Sequence, residues 1–148
     1  MAPAFLIDVV TGRLTIGEVT LEPHQSKTAA KRCVAPVLTG EKDHANGYEW
    51  LYLAGLTFGG RPAALQLCFK QSKLWQASWS VDLPGAPLEV GWPSREAIDN
   101  EIASVRAVLE QSGFKFDGRS ARYEWGLVWS GYDPKGHLAS NGLRYRTA

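Results

Sequence analysis

From Tyr123 to Trp129 every second residue is large and apolar, so Tyr123, Trp125, Leu127 and Trp129 share one face if the segment is a strand. Asp133-Pro134-Lys135-Gly136 then supplies turn chemistry, and Leu143 and Tyr145 resume the alternation. The pattern predicts one long strand, a turn and a return strand. At the other end, Phe5, Ile7 and Val9 alternate with Leu6 and Asp8, Thr11-Gly12 offers a turn, and Leu14, Ile16, Val19 and Leu21 follow with Gly17 interrupting. That reads as a β-hairpin with a bulge at Gly17. Three more strand-like runs, Trp50–Phe58, Ala63–Phe69 and Leu74–Val81, are joined by Gly59-Gly60 and by Gln71-Ser72-Lys73. Connections this short make an antiparallel meander. Ala63, Leu65, Leu67 and Phe69 share a face, as do Trp75, Ala77, Trp79 and Val81 opposite Gln76, Ser78 and Ser80. One side of the sheet is therefore buried and the other wet.

The hydrophobic period changes once. Ile98, Ile102, Val105 and Leu109 are spaced 4, 3 and 4 residues apart, which on a helix places them within about 60° of one another. The stripe predicts a helix from Pro93 or Ser94 to Ser112, with Ser94 as N-cap, Glu96 at the positive end of the helix dipole and Gly113 as the stop. A second helix of one or two turns is expected in Pro23–Cys33, with Pro23 in its first turn. Residues 34 to 47 read as loop, and Leu83–Trp92, with Pro84, Gly85, Pro87 and Gly91, as irregular connection. The sum is an α+β fold: a mostly antiparallel sheet of about seven strands, one long helix on its apolar face and a short N-terminal helix. A doubly wound parallel sheet is disfavoured, because it needs helices where this chain has tight turns.

Length and composition add a single domain spanning 1–148, since a chain of 148 residues buries roughly 68 to 70% of its unfolded surface. The formal charge of +1 and the absence of like-charge runs argue against direct binding to nucleic acid. The first residues, MAPAFLIDVVTGRL, have no basic region, long apolar run or cleavage site, so a cytoplasmic chain without membrane contact is expected. Cys33 and Cys68 read as buried thiols.

Candidate chemistry is sparse. His24, His44 and His137 stand in no two-ligand spacing, and Glu41-Lys42-Asp43-His44 gathers possible ligands without a second cluster to complete a shell. Ser130 lacks a nucleophile elbow, and nothing beside Cys68 in sequence lowers its pKa. The glycines at 55, 59 and 60 have no following Lys-Ser/Thr and suit hairpin turns. No catalytic residue, cofactor or metal is expected. The tryptophan pairs Trp75 with Trp79 and Trp125 with Trp129 would stack bases or sugars if exposed, but the helix stripe has to cover something, and these faces are the natural partner. Trp50 and Trp92, at element ends, suit a partner surface better. Charge is also uneven. Residues 82 to 110 carry six acids against two bases, a net of −4, and residues 115 to 148 carry six bases against three acids, a net of +3. Glu96, Asp99 and Glu110 project opposite the apolar stripe with Ala103 and Ala107 between them, which makes a flat acidic helix face.

The two ends of the chain resemble a family of small proteins from Gram-negative bacteria. Members open with a hairpin like FLIDVVTGRLTIG, continue with a short leucine- and proline-containing segment, and close with W-G-x-V-x-S-x-Y-D-P-K-x-G followed by a strand ending in R-Y. Here the closing stretch is Trp125-Gly126-Leu127-Val128-Trp129-Ser130-Gly131-Tyr132-Asp133-Pro134-Lys135-Gly136, and the middle of the chain matches poorly. Members look like immunity proteins of contact-dependent or polymorphic toxin systems. The resemblance implies an inhibitor that binds a cognate toxin domain and carries no catalytic residues. An acidic helix face is what an antagonist of a phosphate-gripping nuclease would present. The residues expected to meet the toxin are Trp92, Glu96, Asp99 and Glu110, with Glu41, Asp43 and His44 as a second group. The rival reading is a small enzyme or ligand-binding protein with a cleft between helix and sheet, using Tyr132, Asp133, Lys135 and His137 at the turn.

Overall fold

The computed structural model describes residues 2–147 apart from 84, 86, 87 and 90, and for 88 and 89 the backbone alone. The chain forms β1 (Phe5–Ile7), β2 (Leu14–Ile16), β3 (Val19–Leu21), α1 (Lys27–Cys33), β4 (Leu38–Asp43), β5 (Tyr48–Phe58), β6 (Arg61–Lys70) and β7 (Lys73–Val81). It continues through a two-residue pair, β8 (Leu88–Glu89) and β9 (Trp92–Pro93), then α2 (Arg95–Gln111), β10 (Ser120–Tyr123), β11 (Gly126–Asp133) and β12 (Leu138–Tyr145). Seven strands make the main sheet, in the order β10-β11-β12-β7-β6-β5-β4, all antiparallel, and β1–β3 make a separate three-stranded sheet. The α+β class, the long helix and the short N-terminal helix are as the sequence pattern predicts.

One face of the main sheet carries the core. Its central row runs Ala121, Val128, Leu143, Ala77, Leu67, Leu51 across six paired strands, and all six are buried. Each large aliphatic side chain taken out of water there contributes about 1.5 to 3 kcal/mol. The second layer consists of the small sheet, which contributes Phe5, Ile7, Leu14, Ile16 and Leu21, together with α2, which packs chiefly on β11 and β12. Phe5 meets Phe58 and Trp79 at ring centroid separations of 5.5 and 5.2 Å. The small sheet is also tied to the last strands by side chains. The Trp125 indole Nε1 donates to the Val9 carbonyl at 2.9 Å, and the Tyr145 hydroxyl donates to the Gly12 carbonyl. Gly12 has φ of +76°, and a Cβ there would lie 2.5 Å from the Trp125 ring, so the indole seats only over a glycine.

Several expectations are corrected. The run Tyr123–Trp129 is not one strand: Tyr123 pairs with Gly126 across a tight turn at Glu124-Trp125, so β10 ends and β11 begins inside it. That reversal inverts the phase. Val128 and Ser130 face the core, while Trp129 lies on the outer face, packed on Gly142 with its Nε1 donating to the Ser140 hydroxyl at 3.0 Å. A register shift between Cys68 and Phe69 turns Trp75 outward as well. There it packs on Tyr48 at 5.5 Å, with the Arg144 guanidinium 4.7 Å above its ring. Both expected same-face tryptophan pairs are therefore split, because a one-residue slip moves every following side chain to the other face. Gly17 sits in a turn between β2 and β3, so the N-terminal segment is a three-strand meander. Residues 34 to 47 include a 3-10 turn at Ala35–Val37 and the edge strand β4. Pro23 precedes α1, whose N-cap is Ser26. The expected irregular connection at Leu83–Trp92 falls partly outside the described residues, and within it Leu88–Glu89 pair with Trp92–Pro93 as β8 and β9.

Candidate functional site

The long helix starts where its cap predicts. The Ser94 hydroxyl accepts from the Ala97 N–H at 3.0 Å, and Glu96 stands in the first turn. Ile98, Val105 and Leu109 are buried, while Glu96, Asp99, Ala103, Ala107 and Glu110 are all exposed on the opposite side. Glu96 and Glu110 are separated by 14 residues, or about 21 Å of helix. The face is less acidic than a count of carboxylates suggests, because Arg95 pairs with Asp99 at 3.0 Å, both side chains being 57% exposed. Such a pair is worth at most about 1 kcal/mol, and a partner can break it cheaply. Arg106 is turned the other way. It donates to the Ser130 and Gly118 carbonyls and its guanidinium lies over the Phe116 ring. Trp92, 69% exposed, precedes the helix and is one of four exposed large hydrophobics among the described residues.

Glu41, Asp43 and His44 lie elsewhere. They sit on edge strand β4 and the turn after it, four strand steps from β12, or about 19 Å across the sheet. Glu41 is bound by Lys31 at 2.6 Å and Lys27 at 3.4 Å, and the Lys31 hydrogen bond holds its carboxyl below the usual range. Asp43 accepts from the Ala45 N–H at 2.8 Å, and the His44 N–H donates to the Tyr48 carbonyl at 3.1 Å. The seven residues thus form two groups, one on α2 and the residues just before it, the other on β4 and the turn after it. Among the described residues, no group of three or more His, Cys, Asp or Glu side chains is placed to hold a metal ion. Burial pushes the Cys68 thiol up to about 11, so it stays protonated at neutral pH.

The 132–137 turn uses its polar side chains to hold itself. Tyr132 and His137 Nδ1 are 3.0 Å apart, His137 Nε2 meets the Pro93 carbonyl at 3.2 Å, and Asp133 accepts from the Lys135 N–H at 2.9 Å. Because a carbonyl only accepts, Nε2 carries the proton toward Pro93. In the neutral tautomer Nδ1 then accepts from the Tyr132 hydroxyl. None of the four turn residues lines the cleft that lies nearby. That cleft, of about 530 Å³, opens where β7 and β12 part beyond the Asn141–Trp79 pair, with the first turns of α2 alongside.

At the head of this fork is a polar network that the sequence reading missed. Asn141, 1% exposed, donates from Nδ2 to Glu101 Oε2 at 2.9 Å and to the Trp79 carbonyl at 3.2 Å, and its Oδ1 accepts from Ser130 at 2.7 Å. Glu101 Oε2 also accepts from the Val81 N–H at 3.3 Å. Side chains thus replace the ladder bonds that the parted strands do not make. One signal existed in the sequence: Asn141 stands in phase with Leu143 and Tyr145, a polar residue at a core position.

Desolvation raises the Glu101 carboxyl above its ordinary 4.5, outweighing the hydrogen bonds from Val81 and Asn141. The folded chain therefore holds a proton at pH values where the unfolded chain has released it. The resulting stabilisation is complete below 4.5 and is lost as pH rises through the folded-state value. Glu101→Gln keeps an acceptor for Asn141 and removes the titration. Urea unfolding at several pH values above 4.5 should give wild-type stability that declines relative to Glu101→Gln. Parallel curves would show that burial of the charge costs nothing.

Compared with known proteins, the chain matches no family model and no curated protein's sequence. In fold it is similar to a chain in the solved structure of Rhs1-CT in complex with cognate immunity protein RhsI1. The likeness has a TM-score of 0.55 and covers 96% of this chain and 87% of that one. Identity is 12%, so what the two share is the fold.

Proposed function

We propose that this chain is an immunity protein that binds a cognate bacterial toxin domain in the cytoplasm and neutralises it by occluding its active site. The observation that carries the reading is the likeness of nearly the whole chain to a chain from a complex with a cognate immunity protein. The closing Trp125–Gly136 stretch, which resembles immunity-type proteins, supports it from the sequence side. Trp92 acts as the apolar anchor, and Glu96, Asp99 and Glu110 supply charge complementarity. A nuclease is the matching target, because it grips phosphate with basic residues. Glu41, Asp43 and His44 form a flanking contact of smaller weight, since Glu41 already has two lysine partners.

The direct test is expression of this chain in cells that make candidate toxin domains, the products of neighbouring genes first. Rescue of growth, with a stoichiometric complex on purification, supports the proposal. Failure to rescue, or growth arrest caused by this chain alone, overturns it. Within a rescued pair, the triple variant Glu96→Lys, Asp99→Lys, Glu110→Lys is expected to bind at least about tenfold more weakly at low salt, chiefly through slower association, with the gap closing as salt is added. Unchanged affinity at low salt would remove α2 from the interface.

A further inference from the structure

We infer that the fork between β7 and β12 is a socket for one cationic side chain, an arginine by preference, presented by the bound partner. The inference rests on the immunity reading for the source of that side chain, but the socket itself is argued from this chain alone. Two carboxylates, Glu101 and Asp82, line the cleft, and no Lys, Arg or His is among its described lining residues. Glu101 is held in place by the Val81 N–H and by Asn141, both on Oε2, and Oε1 makes no hydrogen bond among the described residues. It belongs to no ion pair among them. A largely buried carboxylate supported only by neutral donors leaves most of its desolvation cost unrecovered, and a cation brought to it recovers part of that cost.

The walls suit a long side chain with a charged end. Ile98, Leu83 and Pro93 offer apolar surface to a methylene stem, and Leu138, 43% exposed, stands on the lining. Trp92 precedes Pro93 directly, so the exposed anchor of the proposed interface adjoins the cleft. A volume of about 530 Å³ lies within the usual range for small-ligand sites. Arginine is preferred over lysine because its planar fork of five donors can engage two carboxylates, and because guanidinium is the less strongly hydrated cation.

The probe is n-butylguanidinium, with n-butylurea as its uncharged counterpart, titrated into the isotope-labelled full chain at neutral pH. The expected result is saturable shifts at the Val81 amide, the Asn141 side-chain amide and the Glu101 carboxyl. The dissociation constant should be on the order of millimolar, as fits a ligand of so few atoms. n-Butylurea should leave these signals unmoved, Glu101→Gln should weaken the response at least about tenfold, and the probe should lower the Glu101 titration midpoint. Equal shifts with n-butylurea, no saturable response, or undiminished affinity in folded Glu101→Gln would each overturn the socket. No toxin is needed for this measurement, so a chain that fails to protect cells can still bind the probe. A chain that protects cells and ignores the probe sinks the socket alone.

Discussion

Asn141→Leu is expected to lower the free energy of unfolding by about 3 kcal/mol, read as an earlier urea midpoint with an unchanged slope. Leucine keeps asparagine's branched outline but is bulkier, so the loss combines stranded polar groups with some overpacking, and a double variant with Glu101→Leu separates the two. The change removes the donor to Glu101 and to the Trp79 carbonyl together with the acceptor for Ser130, all at a position 1% exposed. Each stranded buried group costs about 1 to 3 kcal/mol, more where it is charged. The double variant Asn141→Leu with Glu101→Leu should lose less than the sum of the single losses, by about 1 kcal/mol or more, because the second change removes a group that the first has stranded. A single-variant cost below about 1 kcal/mol, or strict additivity, would show that the two do not act as one network.

Gly126→Ala is expected to cost about 3 kcal/mol, and Gly60→Ala about 1 kcal/mol. Both glycines have positive φ, +152° and +80° respectively, so alanine is strained at either. They differ in surroundings. A Cβ at Gly126 runs into the carbonyl of Arg144 on the paired strand, whereas at Gly60 nothing lies within 4 Å. The excess loss at Gly126 reports the collision together with the harsher strain of φ +152°, a conformation that is essentially glycine's alone. Equal losses, measured by the same urea titrations, would mean that β11 and β12 give way at no cost.

Much of this architecture was legible because local signals agreed with one another. Ser94, Glu96, the stripe from Ile98 to Leu109 and Gly113 all specify one helix, and the acidic face follows from the same 3.6-residue period. The meander was legible because its turns are short. Illegible was whatever shifts phase within a strand-like run. The turn at Glu124-Trp125 and the register shift beside Cys68 each interrupt an alternation that is unbroken in sequence, so the alternation points Trp129 and Trp75 to the wrong face. Strand β4, LTGEKD, has no apolar alternation to announce it, since it is an edge strand with its last three residues exposed. The Glu101–Asn141 pairing joins residues 40 positions apart and the Asn141 to Trp79 bond 62. No spacing rule reaches that far, so the cleft they border was visible only in three dimensions.

The clasp between the first sheet and the last strand also sets a clock. The Tyr145 hydroxyl reaches the carbonyl of a residue 133 positions earlier, and contacts that distant form late because the loop between them must close first. At the usual ribosomal pace of about 5 to 20 residues per second, the partner of Gly12 is synthesised roughly 7 to 27 s after it. Phe5 can meet Phe58 and Trp79 sooner, but the tie from Gly12 to the last strand must wait that long. Whatever the finished molecule does in a cell therefore lags its own translation, and a copy truncated before Tyr145 would lack the clasp altogether.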